Sequence, residues 1–198
     1  PELLFVGRLE YEKGVHEAIA ALPRIRRAHP GTTLTIAGEG TQEDWLVEQA
    51  RKHRVLKATR FVGRLDHDEL LTALHRADAA VLPSHYEPFG LAALEAAAAG
   101  TPLVTSNIGG LGEAVINGET GMSCPPRDVP RLARAVSAVL DDPAAAQRRA
   151  KAARQRLTAD FDWQTVADET AQVYLAAKRR ERQPLPRLPI VEHALPGR

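Results

Sequence analysis

Two cations and two carboxylates stand out in this sequence for the company they keep. Arg8 and Lys13 follow the apolar run Leu3-Leu4-Phe5-Val6-Gly7; Glu87 opens the stretch Glu87-Pro88-Phe89-Gly90-Leu91, and Glu95 lies further along it. Strong helix formers fill Leu91 to Ala99, and Gly100 followed by Pro102 ends that helix. The amides of Phe89, Gly90 and Leu91 therefore stand at a helix start, where backbone N–H groups favour an anion. A guanidinium fork, an ammonium point charge and helix-end amides together suit a diphosphate. Gly90 lets a phosphate approach the backbone because it carries no side chain. Glu95 would then accept both hydroxyls of a ribose, and Glu87 the hydroxyls of a sugar carried on the diphosphate. The helix is apolar nearly all round, which predicts burial, so a carboxylate at Glu95 needs a partner or a polar cleft.

The elements that must position these residues are legible as alternating runs. Strands are expected at Leu3–Val6, Thr33–Ala37, Thr59–Val62, Ala79–Leu82, Leu103–Thr105 and Gly121–Cys124. Helices are expected at Val15–Ala28, Gln42–His53, His67–Arg76, Leu91–Ala99 and Gly112–Val115. Strands alternating with helices predict an α/β fold, a Rossmann-like parallel sheet with helices on both faces. The uninterrupted apolar strands agree, since central parallel strands are buried on both sides. In such a sheet ligands bind beyond the carboxyl ends of the strands. The unusual residues collect there: Arg8 to Gly14, Gly38-Glu39-Gly40, Gly63-Arg64-Leu65, Pro83 to Gly90, and Ser106 to Gly110. Gly38, Gly40, Gly63, Arg64 and Leu65 join the candidate site on that ground. Singly, each is an ordinary surface or turn residue; their co-location carries the reading.

Extra helices follow. Asp128, Asp142 and Asp162 are candidate caps, two of them beside a proline that suits a first helical turn. Prolines 184, 186, 189 and 196 forbid a helix near the end, so an extended tail is expected over 178–198 after a nucleotide-sugar-binding domain over 1–177. The first strand begins right after Pro1-Glu2, from which a missing upstream segment is expected.

Composition narrows the function classes. The 198 residues carry a formal net charge of +1, which argues against nucleic acid as partner. No apolar run reaches transmembrane length; Lys178-Arg179-Arg180 reads as a solvated helix end rather than a membrane contact. The one cysteine, Cys124, excludes an internal disulfide and a multi-cysteine metal site, reads as a packing residue and fits a reducing cytoplasm. His16, His29, His53, His67 and His75 read as solvent-facing; His85, in the loop before Glu87, is the histidine to watch. No Gly-x-x-x-x-Gly-Lys-Ser/Thr, His-Glu-x-x-His or Gly-x-Ser-x-Gly is present, and Glu43 stands where a dinucleotide fingerprint needs its third glycine. Hydride transfer, ATPase and serine-hydrolase chemistry lose ground accordingly.

Over about residues 3–177 the chain resembles the C-terminal, donor-binding domain of retaining GT-B glycosyltransferases of family GT4. The resemblance rests on Phe5-Val6-Gly7-Arg8-Leu9 with Lys13-Gly14, on Ile36-Ala37-Gly38-Glu39-Gly40, and on Glu87-x-Phe89-Gly90 with Glu95. Gly100-Thr101-Pro102, Gly109-Gly110-x-x-Glu113, Gly118-x-Thr120-Gly121 and Phe161-Asp162-Trp163 extend it. It implies that Arg8, Lys13 and Glu87 form the catalytic set, the cations holding the donor diphosphate and Glu87 the donor sugar. It implies Glu95 on the ribose, amides of Phe89, Gly90 and Leu91 on phosphate, and the Gly63–Leu65 loop near the base. It also implies no metal and no other cofactor. The acceptor, a glycan or other molecule, would sit on an N-terminal domain absent here, leaving this chain alone inactive. The loop Pro83 to Leu91 resembles those of actinobacterial α-glucan-type glucosyltransferases, which implies a UDP- or ADP-glucose donor. The other readings are an enzyme resembling sugar-nucleotide epimerases, and a non-catalytic module for a nucleotide sugar or a protein.

Overall fold

The computed structural model describes residues 1–180. Residues Pro1–Thr158 form one compact unit, and a second begins at Ala159. In the first unit, strands β1 (Glu2–Val6), β2 (Thr33–Ala37), β3 (Thr59–Gly63), β4 (Ala79–Leu82), β5 (Leu103–Ser106) and β6 (Met122–Cys124) form one sheet in the order β3-β2-β1-β4-β5-β6. Every pairing is parallel. Each strand falls within two residues of its expected bounds. The cause is plain in β1 and β4: Leu3, Leu4, Phe5 and Ala79 to Leu82 are all buried, as strands covered on both faces must be.

Helices α1 (Val15–Ala28), α2 (Glu43–Lys52), α3 (His67–Arg76), α4 (Leu91–Ala99), α5 (Gly109–Ala114) and α6 (Val129–Asp141) connect or flank the strands. α1 packs against α2 and α6, while α4 packs against α3 and α5. α1 turns Val15, Ala18, Ile19, Leu22 and Ile25 into the core, a stripe at helical spacing. Asp66 caps α3 in a capping box with Glu69, and Asp128 caps α6 by accepting the Arg131 N–H. Asp142 does the same for α7 (Pro143–Asp160) through the Ala145 N–H.

The strand order decides where a ligand can sit. The chain starts in the middle of the sheet, moves outward through β2 and β3, then returns to build β4, β5 and β6 on the other side of β1. Beyond the ends of β1 and β4 the connections diverge, and a crevice opens at that switch point. Arg8 and Lys13 follow β1, and Glu87 follows β4.

Two expectations need correction. α4 is not buried all round: Ala93, Ala96 and Ala97 pack inward, but Leu91, Glu95 and Ala98 are exposed. Alanines satisfy tight packing against the sheet on one side only, and the apolar composition hides that asymmetry. α8 (Trp163–Arg180), in the second unit, runs through Lys178, where the sequence reading starts an extended tail. It is capped by Asp162 through the Gln164 N–H, and its Trp163, Val173 and Tyr174 are exposed. The proline-rich remainder of that tail lies outside the described residues.

Candidate functional site

The two loops at the switch point touch backbone to backbone. Gly14 takes a left-handed conformation (φ 68°) at the start of α1, and a Cβ there would lie 2.0 Å from the Pro83 carbonyl oxygen. Only glycine fits. The N–H groups of His85 and Tyr86 both donate to the Glu12 carbonyl, at 2.7 and 3.4 Å. The β1–α1 loop is thereby tied to the β4–α4 loop just where each carries its charge.

That contact brings Lys13 and Glu87 together. Lys13 Nζ donates to Glu87 Oε2 at 2.7 Å, and the two side chains are only 14% and 17% exposed. Glu87 Oε2 also accepts from Ser84 Oγ at 3.5 Å, and Oε1 accepts the Gly90 N–H at 3.3 Å. One carboxylate thus answers a cation and the N-terminus of α4. The sequence reading gives Lys13 to a diphosphate and Glu87 to a sugar as separate tasks; the structure joins them as an ion pair.

An open cleft of about 730 Å³ lies over this pair, lined in part by Arg8, Lys13, Arg64, Glu87, Phe89, Leu91 and Glu95. A smaller pocket of about 330 Å³ shares its Arg8 and Arg64 edge and adds Gly38, Glu39, Leu65 and Leu70. Arg8 pairs with Glu12 at 3.2 Å but keeps 69% of its side chain exposed. Gly38 (φ 146°) is fixed by a close approach: a Cβ would lie 1.8 Å from the Gly7 carbonyl oxygen. Partial desolvation raises the Glu95 carboxyl above its ordinary value, with His67 opposing.

Of the residues expected at the site, Arg8, Lys13, Gly38, Arg64, Leu65, Glu87, Phe89, Leu91 and Glu95 line these two pockets. Gly40, Gly63 and Gly90 do not. Gly40 is pressed against the Leu9 backbone, and Gly63 accepts the Gly38 N–H at 2.7 Å. Gly90 is buried as the left-handed N-cap of α4, its N–H held by Glu87.

Beneath the pair lies a cluster that sequence reading missed. His85 Nε2 is 2.8 Å from Glu17 Oε1, with side chains 5% and 8% exposed. Glu17 Oε2 accepts the Arg127 N–H at 3.2 Å. His16 is not solvent-facing: its ring stacks on Tyr11 at 4.7 Å and meets Trp45 and His85 at 5.1 and 5.3 Å. Burial first, and then His85, lowers its pKa to about 4, so it is neutral near pH 7. The signal was Glu17 itself, a carboxylate one turn before buried Ala21 and two before buried Ile25. Cys124 is buried as expected, and that burial pushes its thiol up to about 11.

Residues 1–156 match the family described as glycosyl transferases group 1. The chain belongs to that family. It is 86% identical to the glycogen synthase of Mycobacterium tuberculosis over 197 residues, covering all of this chain and 48% of that protein. The chain thus spans about half the length of this curated relative. Among solved structures, sucrose-phosphate synthase from Thermosynechococcus elongatus superposes with a TM-score of 0.77 at 36% identity, over 90% of this chain and 46% of that one. The Anabaena HepE protein, solved in complex with UDP, superposes with a TM-score of 0.77 at 26% identity, over 88% of this chain and 48% of that one. The parallel-sheet fold predicted from the strand pattern is therefore shared with these solved structures. Among the described residues no helix is long and apolar enough to cross a membrane.

Proposed function

We propose that this group 1 chain is the donor-binding half of a retaining glycosyltransferase, moving glucose from UDP- or ADP-glucose onto an α-glucan. The observation that carries the reading is the cleft at the β1/β4 switch point, with Arg8, Lys13 and Arg64 on its walls and two carboxylates within it. The similarity to a glycogen synthase supports the glucan, and the UDP complex of a structural neighbour supports a nucleotide donor.

Arg8 and Lys13 would bracket the diphosphate, with the start of α4 as a third source of positive potential. Glu87, released in part from Lys13 when phosphate arrives, would accept hydroxyls of the glucose. Glu95 would accept the ribose hydroxyls, and the Arg64–Leu65 edge would face the base. In the transfer, the bond from the sugar's anomeric carbon to the phosphate oxygen breaks and a bond to an acceptor oxygen forms on the same face. The acceptor's proton leaves with the departing nucleotide. The negative charge growing on that nucleotide is what Arg8 and Lys13 stabilise, most strongly when charge separation is largest. Those cations and amides supply this stabilisation without a metal or other cofactor. The acceptor would be held by a part of the protein beyond this chain, so the chain alone binds donor without turnover.

A thermal-shift panel tests the reading. A ligand at 100 times its Kd adds about 2.7 kcal/mol to the folded state. UDP, ADP, GDP and their glucose conjugates are compared on the chain and on Arg8→Ala/Lys13→Ala. A shift with UDP or ADP, absent in the double variant, is the expected result; equal shifts in both proteins would remove the cleft from the account.

A further inference from the structure

The buried cluster below the cleft has no task in the reaction above, and its chemistry is unusual. Glu17 is buried, yet its partners are an imidazole and one backbone N–H, with no Lys or Arg of the described residues paired to it. A carboxylate in that position is costly unless a positive charge reaches it. Two imidazoles stand beside it, and the Nδ1 atom of His16 is buried without a hydrogen-bond partner. One ligand atom from each of His16, Glu17 and His85 lies within 4.8 Å of the others. The His85 Nε2 to Glu17 Oε1 separation of 2.8 Å is already close to the spacing of two neighbouring ligands on one tetrahedral ion, about 3.3 Å for bonds of about 2.0 Å.

We propose that His16, Glu17 and His85 form a site for a divalent transition-metal ion of the Zn²⁺ class, which staples the first turn of α1 to the β4–α4 loop. Two imidazoles and a carboxylate are a donor set that such an ion accepts, with a fourth position left for water from the half-exposed side of His16. The ion supplies the charge that Glu17 lacks. Its binding displaces the proton shared between His85 and Glu17, and closing the set requires mainly that the His16 ring approach. The site differs from the donor cleft in residues and in purpose. His16 and Glu17 belong to α1, and His85 to the loop that carries Glu87; the Glu12 carbonyl held by His85 immediately precedes Lys13. An ion here fixes the frame on which the Lys13–Glu87 pair is built without touching a donor.

Co²⁺ tests this because its visible absorption reports ligand number and type. The chain, stripped with EDTA and desalted, is titrated with Co²⁺, and Zn²⁺ is then added in competition. Saturation near one equivalent, with intense four-coordinate absorption bleached by Zn²⁺, is the expected result. His16→Phe keeps an aromatic ring against Tyr11 and removes the nitrogen, so its melting temperature in EDTA stays close to wild type while its Co²⁺ affinity falls about tenfold or more. Glu17→Gln weakens Co²⁺ to a similar degree. No absorption up to millimolar Co²⁺, or a His16→Phe titration that overlays wild type, overturns the site and leaves the cluster as a hydrogen-bonded brace.

Discussion

The two walls of the cleft carry the same kinds of residue in opposite states. Where the β1–α1 loop meets the β4–α4 loop, Lys13 and Glu87 are mostly enclosed and 2.7 Å apart, with Glu87 also tied to Ser84 and the Gly90 N–H. On the β1 and β3 side, Arg8 is 69% exposed with one 3.2 Å contact to Glu12, and Arg64 is exposed. An enclosed pair is part of the fold, because each charge depends on the other for its solvation. An exposed arginine contributes little to stability and keeps its donors available. Under the proposed function the contrast divides the labour: Lys13 would be a charge whose position the protein fixes in advance, while Arg8 would close on the donor.

Substitutions can break that contrast at three levels. Gly14→Val attacks the frame itself, combining a left-handed backbone with a Cβ 2.0 Å from Pro83. We expect a loss of about 3 kcal/mol or more in urea unfolding, since strained backbone alone costs about 1–3 kcal/mol. A loss under 1 kcal/mol would mean that the two loops part easily. Next, Lys13→Ala or Glu87→Ala leaves a largely enclosed charge unpaired and should cost about 2–4 kcal/mol, with the double variant costing less than the sum. Arg8→Ala should stay within about 0.5 kcal/mol of wild type while weakening UDP at least tenfold by calorimetry. If Arg8→Ala destabilised as much as Lys13→Ala, the division of labour would collapse.

The smallest effect sharpens the picture on α4. Glu95 has its carboxyl raised above the ordinary 4.5 by desolvation. A raised acid contributes stability below its unfolded value and loses it as pH rises through the folded one. Glu95→Gln should therefore be slightly more stable than wild type at pH 7, with the gain vanishing below about pH 4.5. A gain that persists at pH 4 would assign it to something other than the charge.

Strands and most helices were legible because local pattern sets them: a buried strand has no polar alternation, and Asp128, Asp142 and Asp162 mark helix starts by their own hydrogen bonds. The expected start of α5 falls three residues late because Gly109 and Gly110 disguise a helix that begins on them. The Lys13–Glu87 pair joins residues 74 apart, and no local pattern specifies which distant carboxylate a lysine will find. His16 was misread for a related reason: Tyr11 and Trp45, which enclose it, come from a turn and a helix whose meeting depends on the whole sheet. The cleft's address was predictable from loops at one sheet edge; its internal wiring was not.

The central ladder of the sheet has a mechanical consequence. β1 meets β2 over five residue pairs, from Glu2↔Thr33 to Val6↔Ala37, but meets β4 over only two, Leu3↔Ala79 and Leu4↔Ala80. The sheet is therefore two half-sheets sewn along a short seam, and the loops above that seam carry the last stitches. Under the proposed function, a donor bridging Arg8 on one flap and the start of α4 on the other would draw the seam tighter. Amide exchange along β1 and β4 would then slow more on loading than exchange along β2 and β3, making the middle of the sheet, rather than its rim, the part that registers an occupied cleft.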